Sequence, residues 1–338
     1  MDFQVLIFPV IIILLALVFD FYNGMNDAAN AIATIVSTKV LTPLQAVAFA
    51  AFFNFVAAFL FPAAVALTIG KGLVDVSIVD NHMIMAGLVG SILVTGGATH
   101  FGLPISASHA IIGGYVGAAV TKAGFTSLIA GGFFKVVTFI FIAPFLGFIF
   151  AIIFSVVTLW IVKDKPPRRV DKYFRKLQLV SAAAYSLSHG SNDAQKTMGI
   201  ITAILIANSF VASDIAHPPY WVILASHIMI ALGTLLGGWK VIKTMGMKMT
   251  KITPFGGFSA ETSAGLTIIT ATILGIPVST THTITGAIIG VGSIKGFSAV
   301  RWGVAKNILW AWILTIPLSA LAASLTYFAS TFINNYLK

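Results

Sequence analysis

Two polar motifs that each contain an Asn-Asp pair interrupt the apolar sequence. The first reads Asn-Gly-Met-Asn-Asp-Ala and places its aspartate at Asp27, and the second reads His-Gly-Ser-Asn-Asp-Ala and places its aspartate at Asp193. Because an aspartate in an apolar helix costs about 2.5–3.5 kcal/mol on insertion scales, each carboxylate requires a partner or a function. A turn that breaks the helix there would group the carboxylates with backbone carbonyls and with the amide oxygens of Asn26 and Asn192. These hard oxygen ligands predict a site for a sodium ion or for a proton.

A second pair of motifs has the form Pro-x-Ser-x-Ser/Thr-His and begins at Pro104 in one copy and at Pro277 in the other. Proline is favoured at the first position of a helix, and the free N–H groups and positive dipole of a helix N-terminus attract anions. The hydroxyls of these motifs add donors that suit a tetrahedral oxyanion. Ordinary helix packing by small residues is the alternative interpretation. The predicted anion ligands are Ser106, Ser108, His109, Ser279, Thr280, Thr281 and His282, together with Asn26 and Asn192.

Further polar residues near these motifs are candidates for coupling to a cation or a proton. His189 stands four residues before Asp193, where an imidazole is suited to exchange a proton or to contact the anion. Lys196 follows Asp193 by three residues and can pair with that carboxylate or with the anion. Asn30 and Glu261, the only glutamate in the chain, complete the group. For the two aspartates the alternative is a structural role, in which each caps the N-terminus of the next helix.

The elements that position these residues are predicted to be membrane helices. Of the 338 residues, 58% are hydrophobic and 9% are charged, whereas soluble domains carry about a quarter charged residues. A helix that spans a bilayer needs about 20 apolar residues. Long apolar stretches of about this size cover 5–21, 44–69, 128–162, 177–207, 221–239 and 302–333. The sequence therefore predicts an all-α integral membrane protein, and the absence of cysteine excludes disulfides.

The net charge of +10 is concentrated in short loops. Seven lysines and arginines lie within 163–176, and a second basic cluster lies within 240–251. Short basic loops beside apolar spans mark the cytoplasmic face of a membrane protein, and they contact lipid headgroups. This distribution predicts a multi-pass protein of the cell membrane and argues against a nucleic-acid partner.

The chain divides into two related halves. The Asn-Asp motif and the Pro-Ser-His motif occur in the same order in both halves, and the hydrophilic stretch 163–176 lies between them. We therefore predict a first transmembrane repeat at 1–162, a cytoplasmic basic linker at 163–176 and a second transmembrane repeat at 177–338. Internal repeats of this kind are typical of transporters, whose binding site lies at the repeat interface near the bilayer midplane. Pro144 and Pro317 leave open whether two long apolar runs are single or broken helices.

The paired motifs resemble those of a known family. Gly24–Ala31 resembles the Gly-x-Asn-Asp-x-Ala-Asn-Ala signature of the inorganic phosphate transporter family, and Ser188–Lys196 is similar to the second copy in its bacterial members. The pair of Pro-x-Ser-x-Ser/Thr-His motifs and Trp310–Pro317 also match. The resemblance implies inverted repeats with broken helices and re-entrant helical hairpins, and a homodimer.

The resemblance also implies a function. It indicates a prokaryotic, low-affinity secondary symporter that imports inorganic phosphate with a proton or a sodium ion and needs no other cofactor. In that family the two signature aspartates, here Asp27 and Asp193, are required for transport, and the histidine of the second signature, here His189, also matters. Asn54 stands where eukaryotic members tend to carry glutamate, a difference that bears on coupling stoichiometry or ion choice.

Two other functions are weighed against phosphate transport. A carrier of another tetrahedral oxyanion such as sulfate would use the same donors, although a protonatable site beside the anion favours phosphate. A remote alternative is an intramembrane hydrolase, but the chain has no His-Glu-x-x-His motif, and a catalytic motif duplicated in both halves would be unusual. We therefore expect that the protein is not an enzyme.

Overall fold

The computed structural model describes residues 3–248 and 250–336, which form twelve α-helices and no strand within these ranges. The prediction of an all-α protein is therefore confirmed. In chain order the helices are α1 Phe3–Ser37, α2 Pro43–Val56, α3 Ala64–Gly72, α4 Asn81–Phe101, α5 Ala107–Ala123, α6 Ala130–Val162, α7 Pro167–Ala207, α8 Tyr220–Leu236, α9 Trp239–Lys248, α10 Pro254–Ile273, α11 Thr280–Ile294 and α12 Trp302–Tyr336.

The same order of elements occurs in both halves of the chain. Each half has a long first helix, a sharply bent helix pair, a helical hairpin and a long apolar last helix. The bend is 78° between α2 and α3 and 74° between α8 and α9, which are the broken helices of the fold. This order supports the predicted duplication, while the inversion of one repeat relative to the other stays a prediction.

The predicted linker at 163–176 is mostly helical. Residues 163–166 form the turn between the halves, and α7 begins at Pro167, where proline is favoured as the first helical residue. The rest of the basic stretch makes the first turns of α7. The two proline-containing runs are single helices, because α6 continues through Pro144 and α12 through Pro317.

The surface of the helices identifies the solvent that surrounds them. In the described part of the chain, α1, α4, α6 and α12 are long and apolar enough to cross a membrane, and six spans result if each bent pair counts as one. Large apolar side chains such as Phe141, Trp160, Leu321 and Phe332 are exposed along α6 and α12. Lipid accommodates a row of exposed apolar residues of this length, whereas water does not. The chain is therefore an integral membrane protein.

The two halves are intertwined rather than side by side. The hairpin of α4 and α5 packs against α12, and the hairpin of α10 and α11 packs against α6. In the same way α8 and α9 pack against α1, while α2 and α3 pack against α7. Because each half is completed by elements of the other, the polar motifs of both halves lie together in the centre.

Close contact between α1 and α8 depends on two glycines. A Cβ atom added at Gly24 would overlap the carbonyl oxygen of Ile230, and one added at Gly233 would overlap the carbonyl oxygen of Phe21. Small residues at such crossings allow membrane helices to approach backbone to backbone. This crossing holds the first Asn-Asp motif in position, since Gly24 belongs to that motif.

Candidate functional site

The Asn-Asp motifs lie inside continuous helices. Asp27 is in the interior of α1 and Asp193 is in the interior of α7, and both side chains are buried. The predicted helix-breaking turn at these motifs is therefore wrong, and so is the alternative that the aspartates are helix caps. The physical reason is that the asparagine side chains form hydrogen bonds with other helices, as Asn26 does with Thr99. They therefore do not compete with the backbone hydrogen bonds of their own helix.

The Pro-Ser-His motifs form the tips of two helical hairpins. Ser106 caps α5 by accepting a hydrogen bond from the His109 backbone N–H at 3.2 Å, and Ser279 caps α11 by accepting one from the His282 N–H at 3.2 Å. The predicted helix starts are confirmed. The prolines lie two residues before each cap and not at the first helical position.

The two hairpin tips meet in the centre of the protein. Ser108 Oγ donates to the Val278 carbonyl at 3.1 Å, and the rings of His109 and His282 lie 4.3 Å apart between centroids. The first amides of a helix have no acceptor within the helix, and they carry its positive dipole end. Two helix N-termini therefore point at one buried region, which is an arrangement that attracts an anion.

The carboxylates of the two motifs reach this same region. Thr280 Oγ1 lies 3.1 Å from Asp193 Oδ2 and 3.3 Å from Asp27 Oδ2, and Thr281 Oγ1 donates to Asp27 Oδ1 at 3.1 Å. Each of these side chains is at most 1% exposed. The tip of the second hairpin thus joins the two aspartates that lie in different halves of the sequence.

His189 faces both carboxylates. Its Nε2 lies 3.4 Å from Asp193 Oδ2 and 3.6 Å from Asp27 Oδ2, while its Nδ1 lies 3.1 Å from Asn54 Oδ1. Asn54 uses its Nδ2 group to donate to Thr234, so its oxygen is the acceptor and the imidazole donates from Nδ1. In the neutral imidazole Nε2 is then an acceptor, and with the two carboxylate oxygens it forms a group of three converging acceptors that attracts a cation.

Lys196 supplies a positive charge to the same cluster. Its ammonium donates to the Asp193 carboxylate, to Ser108 Oγ at 2.6 Å and to the Val278 carbonyl at 2.9 Å. The predicted pairing with Asp193 is confirmed. We call Asp27, Asp193, His189, Lys196, Asn30, Ser108, Thr280 and Thr281 the central polar cluster.

The asparagines of the Asn-Asp motifs hold the hairpins. Asn26 Nδ2 donates to Thr99 Oγ1 at 2.9 Å, and Asn192 Nδ2 donates to Thr272 Oγ1 at 2.9 Å. Asn192 Oδ1 also accepts a hydrogen bond from the Val278 N–H at 3.2 Å. Both amide groups thus bond to the last turns of α4 and α10, and they also donate to the loop carbonyls of Leu103 at 3.5 Å and of Ile276 at 3.3 Å, which fixes the helix N-termini that follow.

Glu261 lies in a separate polar cluster. Its carboxylate accepts hydrogen bonds from Thr34 at 2.5 Å, Ser181 at 2.5 Å and Gln178 at 3.1 Å. Thr34 follows Asp27 by seven residues in α1, which is about 10 Å along a helix axis. The structure does not bring Glu261 into contact with the two aspartates.

Sequence reasoning missed Asp20. This residue is fully buried, and neither of its carboxylate oxygens has a hydrogen-bond partner among the described residues. It belongs to a polar stripe along one face of α1 that continues through Asn23, Asp27, Asn30 and Thr34. The helical spacing of these five residues is the signal that would have revealed it.

The sequence matches a known family over most of its length. Residues 23–323 match the model of the phosphate transporter family. A probable low-affinity inorganic phosphate transporter of Rhizobium meliloti (strain 1021) is 50% identical over 327 residues, which cover 96% of this chain and 98% of the relative. A protein of the same description from Bacillus subtilis (strain 168) is 44% identical over 328 residues, which cover 96% and 97%.

A solved structure has the same fold. The chain superposes on a structure described as the sodium-dependent phosphate transporter with a TM-score of 0.86 and 26% identity, covering 96% of this chain and 99% of the other. The resemblance drawn from the paired motifs is thereby confirmed. The family and these relatives are transporters, which bears out the expectation that the chain is not an enzyme.

Proposed function

The chain belongs to the phosphate transporter family, and we propose that it is a secondary active symporter that imports inorganic phosphate together with sodium. One observation carries the proposal. The helix N-termini of α5 and α11 meet beside Asp27 and Asp193, so that sites suited to an anion and to a cation adjoin each other.

The two hairpin tips support the proposed binding of phosphate. Free amides and positive dipole ends favour a tetrahedral oxyanion, and the hydroxyls of Ser106 and Ser279, whose oxygens accept the capping N–H groups, supply further donors. His109 and His282 line the same tips, and the ring of His282 stacks on Trp312 with centroids 3.7 Å apart. We assign phosphate to the region where these two tips meet, which must open to admit it.

The balance of buried charges supports the proposed binding of a cation together with phosphate. The central polar cluster contains the two carboxyl groups of Asp27 and Asp193, whereas Lys196 is the one lysine or arginine among the buried residues of the described chain. Opposite charges interact strongly and like charges repel strongly in a low-dielectric interior. Bringing a phosphate anion to this cluster therefore requires a cation to bind with it, which is the physical basis of coupling.

Sodium is the coupling ion that we propose. Asp27 Oδ1 and Thr281 Oγ1 are hard oxygen ligands, and Asn30 Oδ1 is a third that has no hydrogen-bond partner among the described residues. The similar solved structure is described as sodium-dependent. A proton on His189 Nε2, between the two carboxylates, is the second candidate, because its distances to both oxygens are 3.6 Å or less.

The central polar cluster is closed on all sides, since its side chains are at most 3% exposed. Transport requires the cluster to open to each side of the membrane in turn. The two hairpins and the two bent helix pairs are the elements that we expect to move, because each packs against the opposite half. We place the protein in the cell membrane, with the basic stretch 163–176 in the cytoplasm, and a homodimer surrounded by lipid stays a prediction.

Binding of phosphate to the purified protein tests the proposed function. Calorimetric titration with phosphate in sodium buffer should give saturable binding, and the same titration in choline buffer should give binding at least about tenfold weaker. Sulfate in place of phosphate separates the two oxyanions, and a titration series over pH in choline buffer separates sodium from the proton. Equal phosphate affinity in sodium and in choline at every pH would refute cation coupling.

A further inference from the structure

The two halves build equivalent triads with one chemical difference. In the first half Asn30 follows Asp27 by three residues, and Asn30 Nδ2 donates to Thr281 Oγ1 at 2.9 Å while Thr281 Oγ1 donates to Asp27 Oδ1 at 3.1 Å. In the second half Lys196 follows Asp193 by three residues. The hydroxyl that completes each triad comes from the hairpin of the other half.

The second triad contains a covalently attached cation. The Lys196 ammonium contacts the Asp193 carboxylate, the Ser108 hydroxyl at 2.6 Å and the Val278 carbonyl at 2.9 Å. Carboxylate, hydroxyl and backbone carbonyl oxygens are the ligands that a hard metal cation takes in proteins. All three hydrogens of the ammonium have an acceptor, so the side chain fills this position completely.

The first triad presents the same kind of oxygens without an ammonium. Asp27 Oδ1 and Thr281 Oγ1 correspond to the Asp193 and Ser108 oxygens, and the uncharged Asn30 stands at the place of Lys196. Asn30 Oδ1 is buried and has no hydrogen-bond partner among the described residues. A cation at this position would gain a carboxylate, a hydroxyl and an amide oxygen as ligands.

We propose that Lys196 replaces a coupling sodium ion in the second half, so that the central polar cluster takes up one sodium from solution, at Asp27, Thr281 and Asn30. This inference rests on the proposed function and specifies its stoichiometry. A lysine ammonium is a compact point charge and can neutralise a carboxylate as a small cation does. Because it is attached to the chain, it cannot be released on the other side of the membrane and contributes nothing to the driving force.

Two exchange variants test the inference in opposite directions. Lys196→Asn gives the second triad the residue of the first, and Asn30→Lys gives the first triad the residue of the second. Equilibrium binding of radiolabelled sodium to the purified protein, in the presence of phosphate, counts the bound ions. We expect one ion more than the wild type in Lys196→Asn and one ion fewer in Asn30→Lys.

Lys39→Asn is the matched control for loss of a lysine. Lys39 is exposed and has a φ of 57°, a backbone conformation that asparagine adopts readily. Its sodium count should equal that of the wild type. Size-exclusion chromatography identifies any variant that does not fold, and the other exchange variant then decides the question, because each changes the count independently.

The outcomes separate this inference from the proposed function. Unchanged sodium counts in the folded exchange variants, with sodium-dependent phosphate binding in the wild type, would overturn the role of Lys196 alone. A wild type that binds two ions, both lost on Asp27→Asn and Asp193→Asn, would also overturn it. A wild type that binds no sodium would overturn both the inference and sodium coupling.

Discussion

Asp27 and Asp193 share one hydroxyl group, because Thr280 Oγ1 lies 3.3 Å from the first carboxylate and 3.1 Å from the second. The two aspartates belong to different halves of the chain, and Thr280 begins the helix whose N-terminus points at the proposed anion site. Binding of a cation to either carboxylate, or a change in the charge of that carboxylate, therefore acts directly on that helix. This contact is the structural link that we propose between cation binding and phosphate binding.

Asp27→Asn is expected to abolish coupled phosphate uptake. The variant removes the carboxylate of the proposed sodium site and leaves the helix able to form, and each hydrogen bond to a charged group is worth about 1.5–3 kcal/mol. Phosphate uptake in sodium should fall by at least about 100-fold while the protein still inserts. Asp75→Asn is the control, since Asp75 is exposed and caps a short helix through a bond that asparagine can also make. Uptake at the wild-type level in Asp27→Asn would contradict its role.

Thr280→Val should weaken phosphate transport without unfolding the protein. Loss of the shared hydroxyl leaves two buried carboxylate oxygens without this donor, at a cost of about 1–3 kcal/mol. Phosphate uptake at low substrate concentration should fall by about 10- to 100-fold. Thr285→Val is a matched control in the same helix, because the Thr285 hydroxyl is buried and has no partner among the described residues. Equal effects of the two substitutions would show that the contact with the aspartates is irrelevant.

Asn192→Ala should destabilise the protein and leave sodium affinity nearly unchanged. The substitution removes the bonds to Thr272 Oγ1 and to the Val278 N–H that hold the second hairpin. Each buried polar group that loses its partner costs about 1–3 kcal/mol, so thermal denaturation of the purified protein should move to a lower temperature. A large loss of sodium affinity in the folded variant would instead make Asn192 a sodium ligand.

Gly24→Ala should prevent normal packing of α1 on α8. A Cβ atom there would overlap the backbone carbonyl oxygen of Ile230, and overpacking of this kind costs about 1–3 kcal/mol or more. The yield of monodisperse protein should fall strongly. Gly97→Ala is the control, because a Cβ at Gly97 in α4 meets no heavy atom within 4 Å. Similar yields for the two variants would contradict the close helix crossing.

Sequence alone predicted the membrane helices, the two related halves and the two helix N-termini at the Pro-Ser-His motifs. These features depend on local patterns, namely apolar length, motif recurrence and proline near hydroxyl residues, although the structure shows that the serines and not the prolines make the caps. The sequence did not predict that α1 and α7 continue as helices through the Asn-Asp motifs. The hydrogen-bond acceptors for the Asn26 and Asn192 side chains lie on helices that are distant in the sequence. The separation of Glu261 from the aspartates depends on how the halves exchange elements, which no local pattern encodes, whereas the burial of Asp20 could have been read from the helical spacing of the polar residues in α1.

Uptake of radiolabelled phosphate into liposomes that contain the purified protein tests the central claim most directly. An inward sodium gradient should drive phosphate above its equilibrium level inside the liposomes, excess sulfate should not compete, and Asp27→Asn should remove the accumulation. Replacement of sodium by choline should reduce the uptake to that of empty liposomes. Gradient-driven accumulation that is the same in choline and in sodium, or no accumulation under any cation gradient, would contradict the account.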